Sequence, residues 1–351
     1  MSNGREPKIT KKKVSFVKCA LSRHRYNGNR ISKGEERLMA QNAKLAKRNG
    51  FFSELSKNKV LFIMLVPALL YVAIFCYAPL SGLVVAFKKY NYVDGIFGSP
   101  WAGFNNFKFF FISGKAWEVT RNTVVYNIIF IATSILFEVA AAILLAEMSG
   151  KFFKKVSQTF MFLPFFISWV IVGSFVYNIF NFEYGLLNTI LRSMGSEPID
   201  IYRIPRAWYF LLPIFNIWKG VGYGSIVYLA SITAINPEIS SAAEIDGANV
   251  FQRIRYVTLP HLKPTVIIMT LLALGRILRG NFDMFYQLIG TSANLYAYTD
   301  IIDTYVFRSM ISGSDYGMVS AAAFFQSVLC FIFIVTINRI VKFFEKDYAL
   351  F

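Results

Sequence analysis

The sequence is poor in charged residues and in the residues that build metal or disulfide sites. Only 16% of its 351 residues are charged, whereas 55% are hydrophobic and 36 are Phe. A soluble chain of this length rarely combines these values, so the composition favours a membrane protein over an ordinary soluble enzyme. The three cysteines, Cys19, Cys76 and Cys330, show no pairing or metal-ligand spacing and support neither a disulfide framework nor a zinc site.

Enzyme motifs are also missing. No G-x-x-x-x-G-K-[ST] loop occurs, so this chain is not expected to bind and hydrolyse ATP itself. Its two histidines, His24 and His261, lie far apart, and neither has a Cys or an acid at metal-ligand or triad spacing. The sequence contains no G-x-S-x-G or H-E-x-x-H. We therefore predict no catalytic residue, no metal site and no cofactor in this chain.

The positive charge is concentrated at the N-terminus. Residues 1–59 contain sixteen Lys and Arg against four Asp and Glu, which gives this arm a net charge of +12 out of +17 for the chain. No apolar core follows the first basic residues, so a cleavable signal peptide is not expected. A basic arm can bind nucleic acid, but next to a first membrane span it favours a cytoplasmic location beside anionic lipid.

Apolar runs predict an all-α membrane protein with about six transmembrane helices. The predicted spans are 60–87, 122–148, 157–180, 208–233, 264–289 and 317–341. An even number of spans places both termini on the same side of the membrane. The basic arm predicts that this side is the cytoplasmic one, because positively charged segments next to a span tend to stay in the cytoplasm. The predicted domains are the basic arm 1–59, a six-span domain 60–345 and a cytoplasmic tail 346–351.

A polar stretch at 236–262 interrupts the second half of the chain and predicts a helix, a break and a second helix. Asn236 can cap the first helix, and Gly247 can end it in the left-handed conformation. Asn249 can cap the second helix, which Pro260 and Pro264 are expected to end. This stretch, named the elbow below, is either a docking site or an amphipathic loop on the membrane surface.

The fifth predicted span carries the densest group of polar residues. On one helix, Arg276, Arg279 and Asp283 would share a face, and Arg279 would be able to pair with Asp283. Asn281 belongs to the same group, and Tyr286 and Gln287 continue the polar side towards the outer end. Polar residues inside a membrane are costly and often functional, so we interpret the face as the lining of a polar cavity rather than as a self-neutralising structural pair.

The elbow resembles the EAA motif of the permease subunits of bacterial ABC importers. That motif reads E-A-A, three residues, G, nine residues, I-x-L-P. Here it appears as Ser241-Ala242-Ala243, then Gly247, and after nine residues Val257-Thr258-Leu259-Pro260. The leading Glu of the motif is replaced by Ser241, which removes a carboxylate expected to face the ATPase. Docking is therefore expected to depend more on shape, through the small residues Ala242, Ala243 and Gly247.

The resemblance covers about residues 60 to 345. The segments 147–155, 163–169 and 282–286 resemble sugar-importer permeases, in particular the branch associated with polysaccharide and lipo-oligosaccharide uptake. It implies a type I importer permease in a bacterial cell membrane, with a cytoplasmic coupling helix in the elbow. It also implies as partners a second permease, two copies of a cytoplasmic ATPase that bind ATP and magnesium, and an extracellular solute-binding protein that delivers a carbohydrate.

These implications assign roles to two sets of residues. The residues implied to couple to the ATPase are Glu238, Ser241, Ala242, Ala243, Glu244, Asp246, Gly247, Leu259 and Pro260. The predicted pathway residues are Arg276, Arg279, Asn281, Asp283, Tyr286, Trp169, Tyr177, Trp218 and Tyr223. The four aromatic residues outside the fifth span are able to stack on sugar rings, although aromatic residues of a membrane protein more often face lipid or pack between helices.

Two other classes of function remain open at the level of the sequence. A channel or ion-coupled transporter working alone would explain the polar fifth span but not the elbow. A membrane assembly or signalling protein would use the elbow to recruit a soluble partner without transport. Uptake that requires an ATPase partner would distinguish an importer from a channel or ion-coupled transporter. Co-purification with an ATPase and another permease would count against an assembly or signalling protein.

Overall fold

The computed structural model describes residues 58–313 and 315–344, and within these ranges the chain is helical. No β-strand occurs there, only one isolated antiparallel bridge between Lys88 and Trp101. The predicted all-α class is confirmed. The tail 346–351 and the basic arm, apart from Asn58 and Lys59, lie outside the described residues.

The chain divides into two compact units between Leu80 and Ser81. In the first unit, helix α1 (Lys59–Val72) continues into a π-helical turn, Ala73–Tyr77. None of the residues of α1 is buried, and after Lys59 its side chains are predominantly apolar all round. Such a helix is typical of a membrane span, because lipid rather than protein can cover its surface.

The second unit holds the remaining helices. They are α2 (Gly95–Gly98), α3 (Asn105–Ile112), α4 (Lys115–Glu147), α5 (Lys151–Phe162), α6 (Trp169–Phe180), α7 (Leu186–Ser193), α8 (Trp208–Thr233), α9 (Pro237–Ile245), α10 (Val250–Arg253), α11 (Leu259–Leu274), α12 (Phe282–Ile289), α13 (Tyr296–Thr299), α14 (Ile302–Ile311) and α15 (Tyr316–Phe344). Short 3₁₀ segments join several of them.

Among the described residues, five helical segments are long and apolar enough to cross a membrane. They are Lys59–Phe87, Lys115–Glu147, Pro205–Thr233, Val250–Leu274 and Tyr316–Arg339. A sixth span exists if the pair Lys151–Phe166 and Trp169–Phe180, bent by 91°, is counted as one. The predicted span 157–180 is therefore wrong as a single straight helix.

The bend has a local cause. Pro164 lies in the 3₁₀ segment Leu163–Phe166, and Ile167 and Ser168 have extended backbone with ψ of 129° and 151°. Proline cannot donate a helical hydrogen bond, so the helix stops near it. Ser168 then begins α6 as an N-cap, with its hydroxyl oxygen accepting from the amide of Ile171 at 3.4 Å.

The predicted fifth span, 264–289, is also wrong in its bounds. The helix of the elbow does not end at Pro260 and Pro264, since it runs on through both to Leu274. A π-helical turn at Ile254–Thr258 precedes Pro260, and the amide of Leu259 bonds to the carbonyl of Ile254. This wider turn accommodates a proline ring that would otherwise clash with a carbonyl one turn earlier.

The main core of the described unit joins α12 to α4, α6 and α8. Phe285 and Met284 of α12 are buried with Tyr126 of α4 and Val172 of α6. Trp208, at the start of α8, is fully buried, and its indole N–H donates to the carbonyl of Ile201 at 3.2 Å. This core fixes the short helix α12 beside α6.

Close packing of α8 depends on glycine. A Cβ atom on Gly222 would meet the backbone of Met161 in α5, and one on Gly224 would meet the carboxyl group of Glu138 in α4. Small residues allow membrane helices to approach at their backbones. By contrast, a Cβ on Gly220, two residues earlier, would meet nothing within 4 Å.

We expect Gly222→Ala to lower the free energy of unfolding by about 1–3 kcal/mol, because the added methyl group overpacks a contact made by backbone. Thermal unfolding of the purified variant and wild type in detergent measures this loss of stability. Gly220→Ala is the matched control and should unfold at or slightly above the wild-type temperature, since Ala favours a helix over Gly. Equal unfolding temperatures for the two variants would contradict the packing argument.

Candidate functional site

A cavity of about 590 Å³ lies between α6, α8 and α12. It is named the main cavity here. Its lining residues are Phe165, Phe166, Ile167, Ser168, Trp169, Val170, Asn216, Lys219, Gly220, Asn281, Asp283 and Gln287. Aromatic residues and a few polar groups therefore share its wall, a combination typical of ligand sites.

The bend between α5 and α6 forms one wall of the main cavity. Lys219 of α8 donates from Nζ to the carbonyl oxygens of Pro164, at 3.3 Å, and Phe165, at 2.7 Å. The same Nζ lies 5.5 Å from the ring centroids of Phe165 and of Trp169. Irregular backbone at membrane depth is tolerated where it lines a cavity. Here the lysine bonds to the carbonyl of Phe165 and shares the carbonyl of Pro164 with the amide of Ile167, which lies 3.2 Å from that oxygen.

The opposite wall is the start of α12. Asn281 caps this helix, since its side-chain oxygen accepts from the amide of Met284 at 3.3 Å. Asp283 in the first turn and Gln287 one turn later share a face and line the main cavity. A carboxylate is stabilised at a helix N-terminus by the helix dipole. Among the described residues, Asp283 forms no ion pair.

The predicted polar face of Arg276, Arg279 and Asp283 on one helix is wrong. Arg276 and Arg279 lie in the turns between α11 and α12, are exposed, and do not line the main cavity. The predicted pair of Arg279 with Asp283 is not formed. The helix breaks because the turn buries Ile277 and Leu278, which are 5% and 1% exposed.

The predicted aromatic residues separate into different surroundings. Trp169 lines the main cavity. Tyr177, Trp218 and Tyr223 are 49%, 43% and 53% exposed and lie outside its lining. Tyr223 stacks on Phe165, with ring centroids 4.3 Å apart. Their role in a pathway remains a prediction.

Four polar residues of the lining were not among the predicted pathway residues. They are Ser168, Asn216, Lys219 and Gln287. Lys219 is visible in the sequence as a lone cation in an apolar run, and Gln287 continues the polar side of the fifth predicted span, whereas Asn216 gives no such signal. Asn216 also donates from its side chain to the hydroxyl of Ser134 in α4 at 3.1 Å, so the cavity wall is bonded to a second long helix.

A second, smaller cavity of about 160 Å³ lies on the other side of α12 and contains the predicted residue Tyr286. Asp300, 2% exposed, accepts from the Thr304 hydroxyl at 2.7 Å and pairs with Arg308. The guanidinium of Arg308 lies 3.7 Å from the Tyr296 ring centroid. Burial raises the pKa of Asp300 from its ordinary value, while the hydrogen bonds from Arg308 and Thr304 oppose that rise.

The first helix of the elbow has the predicted bounds and caps. The amide of Glu238 donates to the side-chain oxygen of Asn236 at 3.1 Å, and Pro237 occupies the first helical position of α9. Gly247 has φ of +80°, the predicted left-handed conformation. The amide of Ala248 then bonds to the carbonyl of Ala243 at 2.9 Å, which closes the helix end.

The residues predicted to couple to a partner lie on the surface of this unit. Ala243 is partly buried; the exposed ones are Glu238, Ser241, Ala242, Glu244, Asp246, Gly247, Leu259 and Pro260. Two large apolar side chains stand beside them, Ile245 at 87% and Phe251 at 82% exposure. This geometry leaves a short helix, capped at both ends, on the surface. Contact with an ATPase itself remains a prediction.

Residues 138–348 match the model of the family described as the binding-protein-dependent transport system inner membrane component. The matched region contains α8, the elbow and both walls of the main cavity. The chain belongs to this family. It is therefore an inner membrane permease, a transport subunit rather than an enzyme, and the resemblance inferred from the elbow is confirmed.

Individual relatives of the permease cover most of the chain. It is 33% identical over 297 residues to the protein LplB of Bacillus subtilis, covering 85% of this chain and 93% of LplB. It is 31% identical over 305 residues to the polygalacturonan/rhamnogalacturonan transport system permease protein YteP of Bacillus subtilis, covering 87% of this chain and 94% of YteP.

A solved structure shares the fold of the permease. A chain in the crystal structure of a bacterial ABC transporter involved in the import of the acidic polysaccharide alginate matches with a TM-score of 0.75 and 30% identity. The match covers 84% of this chain and 99% of that chain. A chain in the alginate transporter complexed with an alginate pentasaccharide-bound periplasmic protein matches with a TM-score of 0.74 and 29% identity.

Proposed function

We propose that this permease, together with a second permease, forms the membrane pathway for a carbohydrate derived from an oligo- or polysaccharide. An extracellular solute-binding protein delivers the carbohydrate. Two names support this substrate class: YteP is named for the transport of polygalacturonan and rhamnogalacturonan, and the solved transporter for the import of the acidic polysaccharide alginate. The alginate transporter in complex with a periplasmic protein supports the mode of delivery.

The main cavity is the observation that carries the proposal. Trp169 offers an aromatic ring, and Asn216, Lys219, Asp283 and Gln287 offer donors and acceptors around it. A sugar presents an apolar ring face and many hydroxyl groups, so it needs both kinds of contact at once. The cavity also lies at a helix break, the place where transporters commonly hold their substrates.

Energy is supplied by separate subunits in this proposal. Two copies of a cytoplasmic ATPase bind ATP and magnesium and dock on the elbow through α9. Closure of the ATPases moves the elbow, and the segment Val250–Leu274 carries that movement into the membrane. This arrangement requires both termini to be cytoplasmic, as the basic arm 1–59 predicts.

Asp283→Ala tests the cavity as the pathway. We expect ATP-driven uptake of labelled oligosaccharide into proteoliposomes to fall more than tenfold, since the variant removes a charged acceptor whose loss typically costs about 1.5–3 kcal/mol and each 1.4 kcal/mol is about a factor of ten. The yield of folded protein should not change, because Asp283 forms no ion pair among the described residues. Alginate pentasaccharide and an uncharged oligosaccharide of equal length are supplied in parallel.

Glu197→Ala is the matched control, because Glu197 is an exposed acid outside the cavity lining. It should transport like the wild type. Wild-type uptake by Asp283→Ala would remove this carboxylate from the pathway. Uptake that persists in the wild type after the ATPase subunits are omitted would overturn the importer itself and favour a stand-alone channel or ion-coupled transporter.

A further inference from the structure

Arg253 connects the elbow to a transmembrane helix that is remote in sequence. It ends the short helix α10, and its side chain is 15% exposed. One guanidinium nitrogen, Nη2, lies 3.1 Å from Oε2 of Glu147, the last residue of α4. The other, Nη1, pairs with Oε1 of Glu244 in α9. One side chain therefore holds three helices together.

The two carboxylates explain why a cation is needed at this point. Glu147 and Glu244 both lie in the last turn of their helices. The C-terminal end of a helix carries partial negative charge, so an acid there is unfavourable unless a cation stands beside it. Arg253 supplies that cation to both helix ends simultaneously.

The geometry also explains why the cation is arginine. The guanidinium group is planar and presents several N–H donors in a fixed arrangement, so its two terminal nitrogens can bond to two different carboxylates. A lysine carries one ammonium group on a flexible stem and holds such a pair less rigidly. The position of α9 relative to α4 is thus set by one rigid group.

Helix α4, which Arg253 contacts at Glu147, also contacts the wall of the main cavity. Helix α4 runs from Lys115 to Glu147, and its Ser134 accepts a hydrogen bond at 3.1 Å from Asn216 of the cavity lining. The elbow is therefore joined to the cavity in two ways. One is covalent, through α10 and α11, and the other passes from α9 through Arg253 and Glu147 into α4.

We infer that Arg253 is a positioning residue for energy coupling, which ties movement of α9 to α4 through Glu147 and Glu244. This inference rests on the proposed function, because it assumes that an ATPase moves α9. The role is distinct from docking, since Arg253 lies mostly buried between helices of this chain, whereas the docking residues are exposed.

The test compares Arg253→Gln, Glu147→Gln and the double variant, each in the complete transporter reconstituted in proteoliposomes. The measured quantity is oligosaccharide imported per ATP hydrolysed. We expect each single variant to keep its ATPase subunits through purification and to lose about tenfold in this ratio, a typical coupling free energy. The double variant should be no worse than Arg253→Gln alone, because that variant already removes the contact with Glu147.

Two further variants sharpen the result. Arg255→Gln is the matched control, since Arg255 is an exposed neighbour that forms no ion pair among the described residues, and it should keep the wild-type ratio. The amount of oligosaccharide imported per ATP hydrolysed by Arg253→Lys should lie between the wild-type value and that of Arg253→Gln. If Arg253→Gln is recovered in low yield, the Arg253→Lys variant still tests the inference.

Three results would overturn the inference: a wild-type ratio in Arg253→Gln, losses that add in the double variant, or loss of the ATPase subunits from Arg253→Gln, which would make Arg253 a docking residue. Failure of the proposed function would look different. In that case the wild-type protein itself would show no ATP-dependent uptake, so the amount of oligosaccharide imported per ATP could not differ between wild type and variants.

Discussion

Replacing Gly247 by Val is expected to reduce ATP-driven uptake by more than tenfold while the transmembrane part stays folded. Gly247 has φ of +80°, a conformation that a β-branched residue adopts only at a cost of about 1–3 kcal/mol. A side chain at this position would meet nothing within 4 Å, so the effect is one of backbone conformation and not of a clash. Relief of the strain would open the helix end closed by Ala248 and Ala243 and displace α9.

The chain provides a matched control for this prediction. Gly195 has φ of +76°, and a side chain there would also meet nothing within 4 Å. Gly195→Val therefore introduces the same backbone strain in a loop outside the elbow. It should transport at close to the wild-type rate. If Gly247→Val couples ATP hydrolysis to uptake as the wild type does, the elbow has no docking role that depends on its shape.

Replacing Gly220 by Leu is expected to block transport without harming the fold. Gly220 lines the main cavity, and a Cβ atom there would meet no protein atom within 4 Å. A leucine can therefore point into the open space and occupy part of the 590 Å³ that a sugar would need. We expect uptake in proteoliposomes to fall more than tenfold, with unchanged yield and unchanged co-purification of partner subunits, because no packed contact is lost.

Gly220→Ala completes this experiment as a graded control. A single methyl group fills little of the cavity, so uptake should remain within about twofold of the wild type, a difference well below 1 kcal/mol. Wild-type uptake by Gly220→Leu would show that the substrate does not pass through the main cavity. That result would not affect the assignment of the chain to its family. The substrate would then have to pass along another surface of the permease.

Local sequence was enough to predict the helix caps of the elbow. Asn236 and Asn249 cap the helices that follow them, and Gly247 ends α9, because each of these roles depends on a few neighbouring backbone groups. Of the predicted cavity residues, Trp169, Asn281 and Asp283 lie in one lining. The apolar runs likewise predicted the class of the fold, since the length and composition of a span are properties of one segment.

The broken helices were not predictable in the same way. Pro164 accompanies a bend of 91°, whereas Pro260 and Pro264 lie in a helix that continues through them. A proline only removes a donor and adds a ring; whether the helix then bends or adopts a π turn depends on what packs around it. The turn that carries Arg276 and Arg279 similarly exists because Ile277 and Leu278 find a buried place in the tertiary structure.

The sequence by itself determined a membrane protein with a capped elbow between spans, because hydropathy and helix capping act over a few residues. That the protein is a permease followed from the resemblance of the elbow to a known motif. Only the tertiary structure decided which polar groups face one another. Lys219 meets the carbonyl oxygens of a bend more than fifty residues earlier, and Arg253 meets Glu147 across 106 residues. Contacts over such separations depend on how whole helices pack, and neither periodicity nor local motif records that packing.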